Sequence, residues 1–150
     1  MHEHPDFNYS YITDGISIGN NACCAMHFSE ILAKKEGIVA DISLEEDKLD
    51  HPFGVEAYLW LPTPDHTAPT PDQLTLGVQS LETLVLQEKK VFVHCKNGHG
   101  RAPTLVAAYL VHRGMTVSDA EALIKKQRPG IHLQDAQRQA LEAYAARLAV

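Results

Sequence analysis

The stretch Val91-Phe-Val-His-Cys-Lys-Asn-Gly-His-Gly-Arg101 decides the fold expected of this chain. Its first residues predict a short buried strand, and the residues after Arg101 are apolar nearly all round a helix, which predicts a central position for that helix. Gly98 and Gly100 let the connecting loop curl, so that successive backbone N–H groups converge on one point. The start of the helix directs its own unsatisfied N–H groups and the positive end of its dipole to the same point. The stretch therefore predicts an anion-binding cradle between a strand and a helix.

Cys95 and Arg101 place a nucleophile and a phosphate-binding cation in this cradle. An ionised thiol at its base is stabilised and is a strong nucleophile, so we predict that Cys95 attacks phosphorus. The planar fork of Arg101 suits two oxygens of a phosphoryl group. An isolated cysteine is more often a small buried apolar residue, but here strand, spacing, glycines, arginine and helix coincide. The predicted phosphate-binding residues are Lys96, Asn97, Gly98, His99, Gly100 and Arg101.

The part of the chain before this loop alternates between strand and helix patterns. Asp14-Gly15 is a two-residue hairpin signal flanked by alternating apolar and polar residues. Further elements are a helix over 22–35, a strand over Ile38–Ile42, a loop from Ser43 to Gly54 and a strand carrying Val55, Ala57, Leu59 and Leu61. We therefore predict a single α/β domain over residues 1–150, with a central, mostly parallel twisted sheet flanked by helices.

Three further helices are predicted from their caps and apolar faces. One opens at Thr70-Pro71 with Gln73 completing a capping box, and carries Leu74, Val78, Leu81 and Val85 on one face. Gly114 ends the helix that follows the cradle. Ser118-Asp-Ala-Glu121 predicts a capping box for the next helix, which stops at Arg128-Pro129-Gly130. Ala140, Leu141, Tyr144 and Leu148 mark a last helix.

Composition narrows the class of protein. The chain has 150 residues and a net charge of −6, and an acidic balance argues against nucleic acid as a partner. No apolar run approaches the roughly 18 residues of a membrane span, so no stable membrane insertion is expected. The first residues lack a secretory signal, and the 3 cysteines suit free thiols, so the expected location is cytoplasmic. No pair of histidines has metal-ligand spacing, so no metal site is predicted.

At residues 94–101 the chain resembles the His-Cys-x5-Arg loop of the protein tyrosine and dual-specificity phosphatases, in their small atypical branch. The resemblance extends to Tyr11–Gly19, to the Pro62 to Pro69 loop, to the helix after Arg101 and to Arg128-Pro129. It implies the phosphotyrosine-phosphatase-like fold, a phosphocysteine intermediate, no metal and no organic cofactor.

The resemblance also implies roles for residues outside the loop. Asp65, in a proline-stiffened loop about thirty residues before the cysteine, is expected to be the general acid, although a turn-ending aspartate is the alternative. Gln137 is expected to align the water that breaks the phosphocysteine, and Gln134 is close enough to compete. His94 is expected to orient the loop by hydrogen bonds to backbone. Most relatives carry Ser or Thr where this chain has Ala102, and Thr104 lies too far round the helix to replace it.

The substrate is the least determined part of the prediction. Lys96 and His99 add potentially positive groups to the loop, as in relatives that dephosphorylate inositol lipids and phosphatidylglycerophosphate. The net negative charge of the chain is unfavourable for docking on anionic bilayers. We therefore favour phosphotyrosine as the substrate, with acceptance of phosphoserine, phosphothreonine and small phosphoesters. A lipid phosphatase is the first alternative. A sulfurtransferase and an inactive phosphate-binding adaptor are weaker ones, because neither explains Asp65. A monomer is expected.

Overall fold

One five-stranded sheet organises the chain in the computed structural model, which describes residues 7–20, 32–50, 52 and 54–149. The strands are β1 (Tyr9–Thr13), β2 (Ile16–Gly19), β3 (Ile38–Ser43), β4 (Ala57–Trp60) and β5 (Lys90–His94). Their order is β1-β2-β5-β3-β4, and only the β1–β2 pair is antiparallel. The predicted α/β fold with a mostly parallel central sheet is confirmed.

The hairpin that joins β1 to β2 turns at Asp14 and Gly15. Both residues have positive φ angles, 56° and 84°, as a type I′ turn requires. Aspartate tolerates this conformation better than most residues, and glycine adopts it without a steric penalty. The two-residue turn predicted from the sequence is therefore confirmed.

Within the described part of the chain, four α-helices pack with the sheet: α1 (Pro71–Leu86), α2 (Arg101–His112), α3 (Val117–Gln127) and α4 (Asp135–Leu148). Helix α2 is buried from Arg101 through Val111, so its predicted central position is confirmed. Thr70 caps α1, and both hydrogen bonds of the predicted capping box with Gln73 are present. None of the helices in the described ranges is long and apolar enough to span a bilayer.

The start of α3 differs from the prediction. Thr116, rather than Ser118, is the N-cap, and its hydroxyl accepts a hydrogen bond of 3.0 Å from the Asp119 backbone N–H. The Ser118–Glu121 capping box is therefore wrong. Val117 is buried in the core cluster, and this packing places it in the first turn of the helix. The predicted end is confirmed, because α3 stops at Gln127.

The predicted helix over 22–35 lies mostly outside the described residues, and residues 32–35 form a single turn of π-helix. The predicted strand carrying Val55 to Leu61 is shorter, Ala57–Trp60. Residues 44–50, between β3 and β4, form no helix or strand, as expected.

The side chains on the two faces of β5 pack into two different apolar clusters. Val91 and Val93 point into the main core, which the helices cover. Phe92 belongs to a second apolar cluster with Ile38 and Leu32. The loop carrying Cys95 follows β5 at the carboxyl end of the parallel strands, where α/β proteins form their sites.

Candidate active site

The loop from Cys95 to Gly100 joins β5 to α2 in a compact curl. Gly98 has a φ of +72°, and a Cβ atom there would lie 2.6 Å from the Gly19 carbonyl oxygen. Only glycine combines that backbone angle with such close packing. Gly100 is the N-cap of α2 and provides no side-chain cap. The first N–H groups of α2 are therefore left for an anion at the loop.

Arg128 stabilises the conformation of this loop through hydrogen bonds to its backbone, a role that the sequence analysis missed. Its Nε donates to the Gly98 carbonyl at 2.9 Å and its Nη2 donates to the Asn97 carbonyl at 3.1 Å. Its other donors reach Ser10 Oγ and Asn8 Oδ1 on the hairpin side. Burial lowers the pKa of Arg128, and the nearby charge of Cys95 opposes that effect. Because Arg128 binds these two carbonyl oxygens, it favours a loop conformation whose N–H groups point into the pocket. In the sequence, this role is signalled by an arginine at the end of a helix.

Arg101 links the loop from Cys95 to Gly100 (the phosphate loop) to the loop that carries Asp65. The side chain is buried, and its Nη1 donates to the Thr63 carbonyl oxygen at 2.9 Å. Its Nη2 lies 3.6 Å from Asp65 Oδ1. A guanidinium fixed by a backbone carbonyl loses little conformational entropy when it binds an anion, so this contact preorganises Arg101.

Asp65 lines the same pocket as the phosphate loop. Its side chain is half exposed, which suits a group that exchanges protons with substrate and water. Its backbone N–H donates to Glu46 Oε2 at 3.1 Å, and its Oδ1 accepts from the His66 backbone N–H at 2.9 Å. Asp65 is thus oriented by its own loop, and its other carboxylate oxygen, Oδ2, lies 3.6 Å from His66 Nε2.

The two candidate glutamines lie side by side but differ in burial. Gln137 is buried, and its Nε2 donates to the Thr67 carbonyl at 3.0 Å. Its Oε1 accepts from the Gln134 backbone N–H at 2.8 Å. Gln137 also packs against Gly100, whereas Gln134 is less buried and reaches His66. Gln137 therefore contacts both the phosphate loop and the loop that carries Asp65.

These side chains line one pocket of about 170 Å³. It brings together Cys95, Arg101, Asp65, Gln137, Gln134, Asn97, His99 and Gly100, with His66 and His132 at its edge. Lys96 is exposed and is not part of this lining. The volume is below the roughly 300 Å³ at which pockets hold whole drug-sized ligands, so it suits a phosphoryl group and the first atoms of a leaving group. Burial lowers the pKa of His99, and Arg128 lowers it further, so His99 adds little positive charge.

The His94 side chain has different partners from those expected. Its Nε2 lies 2.6 Å from Asp50 Oδ2 and 3.2 Å from Asp41 Oδ1, and its Nδ1 has no hydrogen-bond partner in the described part of the chain. The expectation that its ring bonds loop backbone is therefore wrong, because the ring points to the carboxylates on the far face of the sheet. Burial alone would lower the pKa of His94, but the contacts with Asp41 and Asp50 outweigh burial and raise it to about 10.

Comparison with known proteins decides the family. A family model described as "Polymorphic toxin system, DSP-PTPase phosphatase" matches residues 17–115. The chain belongs to the dual-specificity and tyrosine phosphatase family. Among curated relatives, the phosphatidylglycerophosphate phosphatase PTPMT2 of Arabidopsis thaliana is 37% identical over 90 residues, covering 59% of this chain and 40% of the relative. The human phosphatidylglycerophosphatase and protein-tyrosine phosphatase 1 is 40% identical over 95 residues, covering 61% and 46%. This chain thus spans less than half the length of either relative.

Solved structures agree on the fold. PTPMT1 in complex with PI(5)P superposes with a TM-score of 0.83 at 24% identity, covering 94% of this chain and 96% of that one. Tk-PTP in the active form superposes with a TM-score of 0.80 at 26% identity, covering 93% and 97%. The predicted family resemblance is confirmed.

Ala102, immediately after Arg101, departs from the family pattern. It is fully buried in the first turn of α2 and has no hydroxyl to offer the Cys95 sulfur. The Thr104 hydroxyl donates to the Gly100 carbonyl at 2.7 Å, so it is already engaged. The structure therefore supports the view that Thr104 does not replace the missing group.

We expect Ala102→Ser to accelerate hydrolysis of a phosphoenzyme on the order of tenfold, the effect of one hydrogen bond to a charged leaving sulfur. Rapid-quench trapping of the phosphoenzyme measures this step separately from its formation. Ala107→Ser places the same hydroxyl elsewhere in the buried helix and should give no acceleration. Unchanged turnover in Ala102→Ser, with no phosphoenzyme accumulating in the parent, would contradict the role assigned to this position.

Proposed function

We propose that this chain hydrolyses phosphate monoesters through a phosphocysteine intermediate on Cys95. One observation carries the proposal: a single pocket collects a buried cysteine, a buried arginine and an accessible aspartate around a glycine-rich helix start. Each group meets one need of phosphoryl transfer, which is otherwise governed by positioning and charge. Membership of the phosphatase family supports the same chemistry.

The first step transfers the phosphoryl group to sulfur. Cys95 Sγ attacks as the thiolate and forms the S–P bond while the P–O bond to the leaving group breaks. Arg101 and the loop N–H groups bind the equatorial oxygens, whose charge contacts strengthen in the transition state. Asp65, in its acid form, gives its proton to the leaving oxygen, so the alcohol or phenol departs neutral.

The second step returns the enzyme to its starting state. Asp65, now a carboxylate, takes a proton from a water molecule that attacks phosphorus, and the S–P bond breaks to release inorganic phosphate and the thiolate. Gln137 supports this step because its buried amide contacts both loops and can orient that water. Gln134, nearer the edge of the pocket, is the second choice for this role.

We favour phosphotyrosine, with acceptance of other small phosphoesters, because the pocket is small and its edge adds histidines rather than fixed positive charge. Phosphatidylglycerophosphate is a second candidate substrate. It is favoured by the names of the two curated relatives, and a solved relative of the same fold holds PI(5)P.

A substrate panel tests the proposal. We expect phosphate release from p-nitrophenyl phosphate and from phosphotyrosine peptides, with kcat/KM for these above that for phosphoserine peptides. The panel includes phosphatidylglycerophosphate and phosphatidylinositol phosphates in detergent micelles. A kcat/KM for phosphatidylglycerophosphate that exceeds every peptide value by more than about tenfold would instead establish the lipid substrate. Sulfur transfer from thiosulfate to cyanide with no phosphate release would overturn the phosphatase proposal.

A further inference from the structure

Three ionisable side chains meet next to the start of the phosphate loop, on the face of the sheet that α1 to α4 do not cover. His94, which directly precedes Cys95, is 1% exposed, and Asp41, on the neighbouring strand β3, is fully buried. Asp50 comes from the segment between β3 and β4, and its side chain is 9% exposed. Its Oδ2 lies only 2.6 Å from His94 Nε2. Nothing in the sequence pattern of residues 44–50 pointed to the site.

The two carboxylates are not equivalent. Asp41 lies 3.2 Å from the ring nitrogen, and its oxygens make no hydrogen bond in the described part of the chain. Burial raises the pKa of Asp41 to about 7, with His94 lowering it and the neighbouring Asp50 raising it further. Asp50 makes the shorter contact, and its backbone N–H donates to Tyr58 Oη on β4 at 3.2 Å. Asp50 is therefore the anion that is held in place against the ring.

The charges around the ring decide its state. Asp41 faces it from β3, Asp50 and Glu45 face it from the segment between the strands, and Cys95 follows it in the chain. Glu45 is buried, and burial raises its pKa, while the charges of Arg101 and His94 oppose that effect. A buried cation is costly unless it is paired, and a short charge-assisted hydrogen bond provides that pairing. Asp50 makes the shorter of the two contacts, so its loss removes the closer counter-charge and shifts the ring toward the uncharged imidazole that burial favours.

We propose that Asp50 is a positioning residue of the active site: its carboxylate fixes the ring of His94, the residue next to Cys95 in the chain, as a cation. The cation stabilises the thiolate from the side of the sheet, opposite the helix dipole of α2. This inference rests on the proposed function of Cys95 as nucleophile. It makes the segment 44–50 part of the site, although none of its side chains lines the pocket.

Asp50→Asn tests the proposal, with Asp47→Asn as a control that removes the same charge from an exposed position in the same segment. In Asp50→Asn we expect the Cys95 thiol, followed by alkylation with iodoacetamide and mass spectrometry of its peptide, to ionise at least about one pH unit higher than in the parent, which slows alkylation about tenfold below the pH at which the parental thiol is half ionised. The deficit should vanish near pH 10, because a thiol is ionised there without help. Asp47→Asn should follow the parent, and Asp50→Glu should recover part of the rate. A deficit that is constant with pH would indicate mere structural damage and would overturn the proposal.

Titration of the His94 ring by nitrogen-resolved NMR in the parent protein gives a second measurement that needs no variant. The ring should remain an imidazolium up to at least pH 8, and a neutral ring at pH 7 would overturn the proposal even if Asp50→Asn does not fold. Both readouts are independent of turnover. If the parent releases no phosphate from any substrate, the proposed function fails while the charge state of His94 is still decided.

Discussion

Replacing Cys95 by serine is expected to abolish turnover, with a loss on the order of 10⁴-fold or more, while phosphate binding stays within about threefold of the parent. A serine hydroxyl is not ionised near neutral pH, so the variant has no nucleophile to form the covalent intermediate. The substitution leaves the proposed anion-binding groups untouched, namely Arg101, the loop N–H groups and the start of α2. Binding and chemistry should therefore separate in this one substitution.

Steady-state assays with p-nitrophenyl phosphate measure the loss, and competition by inorganic phosphate against a fluorescent phosphopeptide measures binding. Cys24→Ser makes the same chemical change elsewhere in the chain and should retain full turnover. If Cys95→Ser kept more than about a hundredth of the parental rate, cysteine would not be the nucleophile and the proposed mechanism would fall.

Asp65→Asn is expected to lower kcat/KM by about 10²–10⁴-fold for substrates with poor leaving groups, such as alkyl phosphates and phosphoserine peptides. An amide has no acidic proton to give, so the alkoxide must leave unaided. p-Nitrophenolate is a stable anion, and its phosphate ester should therefore lose much less in the first step. The expected result is a steeper dependence of rate on leaving-group basicity in the variant than in the parent.

A series of aryl phosphates of graded leaving-group pKa provides the measurement. Asp72→Asn is the matched control, because Asp72 is an exposed carboxylate in the first turn of α1 with no place in the pocket. Equal losses across the whole series would assign Asp65 to substrate binding and leave the proton donor unidentified.

The parts of the fold that the sequence predicted well are those encoded by neighbouring residues. The hairpin at Asp14-Gly15, the cap at Thr70 and the loop from Cys95 to Arg101 each depend on residues within a few positions of one another. Thr116 shows the limit of local reasoning. Two capping hydroxyls were available within three positions, and the burial of Val117 in the core decided between them.

The contacts that the sequence did not predict join distant segments. Asp50 and His94 are 44 positions apart, and Arg128 reaches Gly98 across 30 positions. No periodicity or spacing rule connects such pairs, because the sheet order and the packing of α3 bring them together. The sequence analysis therefore assigned Arg128 only to the end of a helix and the acidic residues from Ser43 to Gly54 only to a loop.

The way the Asp65 loop is fastened has a consequence for the reaction cycle. Arg101 donates a hydrogen bond to the Thr63 carbonyl oxygen on one side of Asp65, and Gln137 donates one to the Thr67 carbonyl oxygen on the other. A loop held by hydrogen bonds at both ends has little freedom to move, so Asp65, the proposed proton donor, already lines the same pocket as Cys95 in the resting protein. We therefore expect the loop from Thr63 to Thr67 to keep its conformation when substrate binds, so that the chemical steps rather than closure of this loop limit turnover.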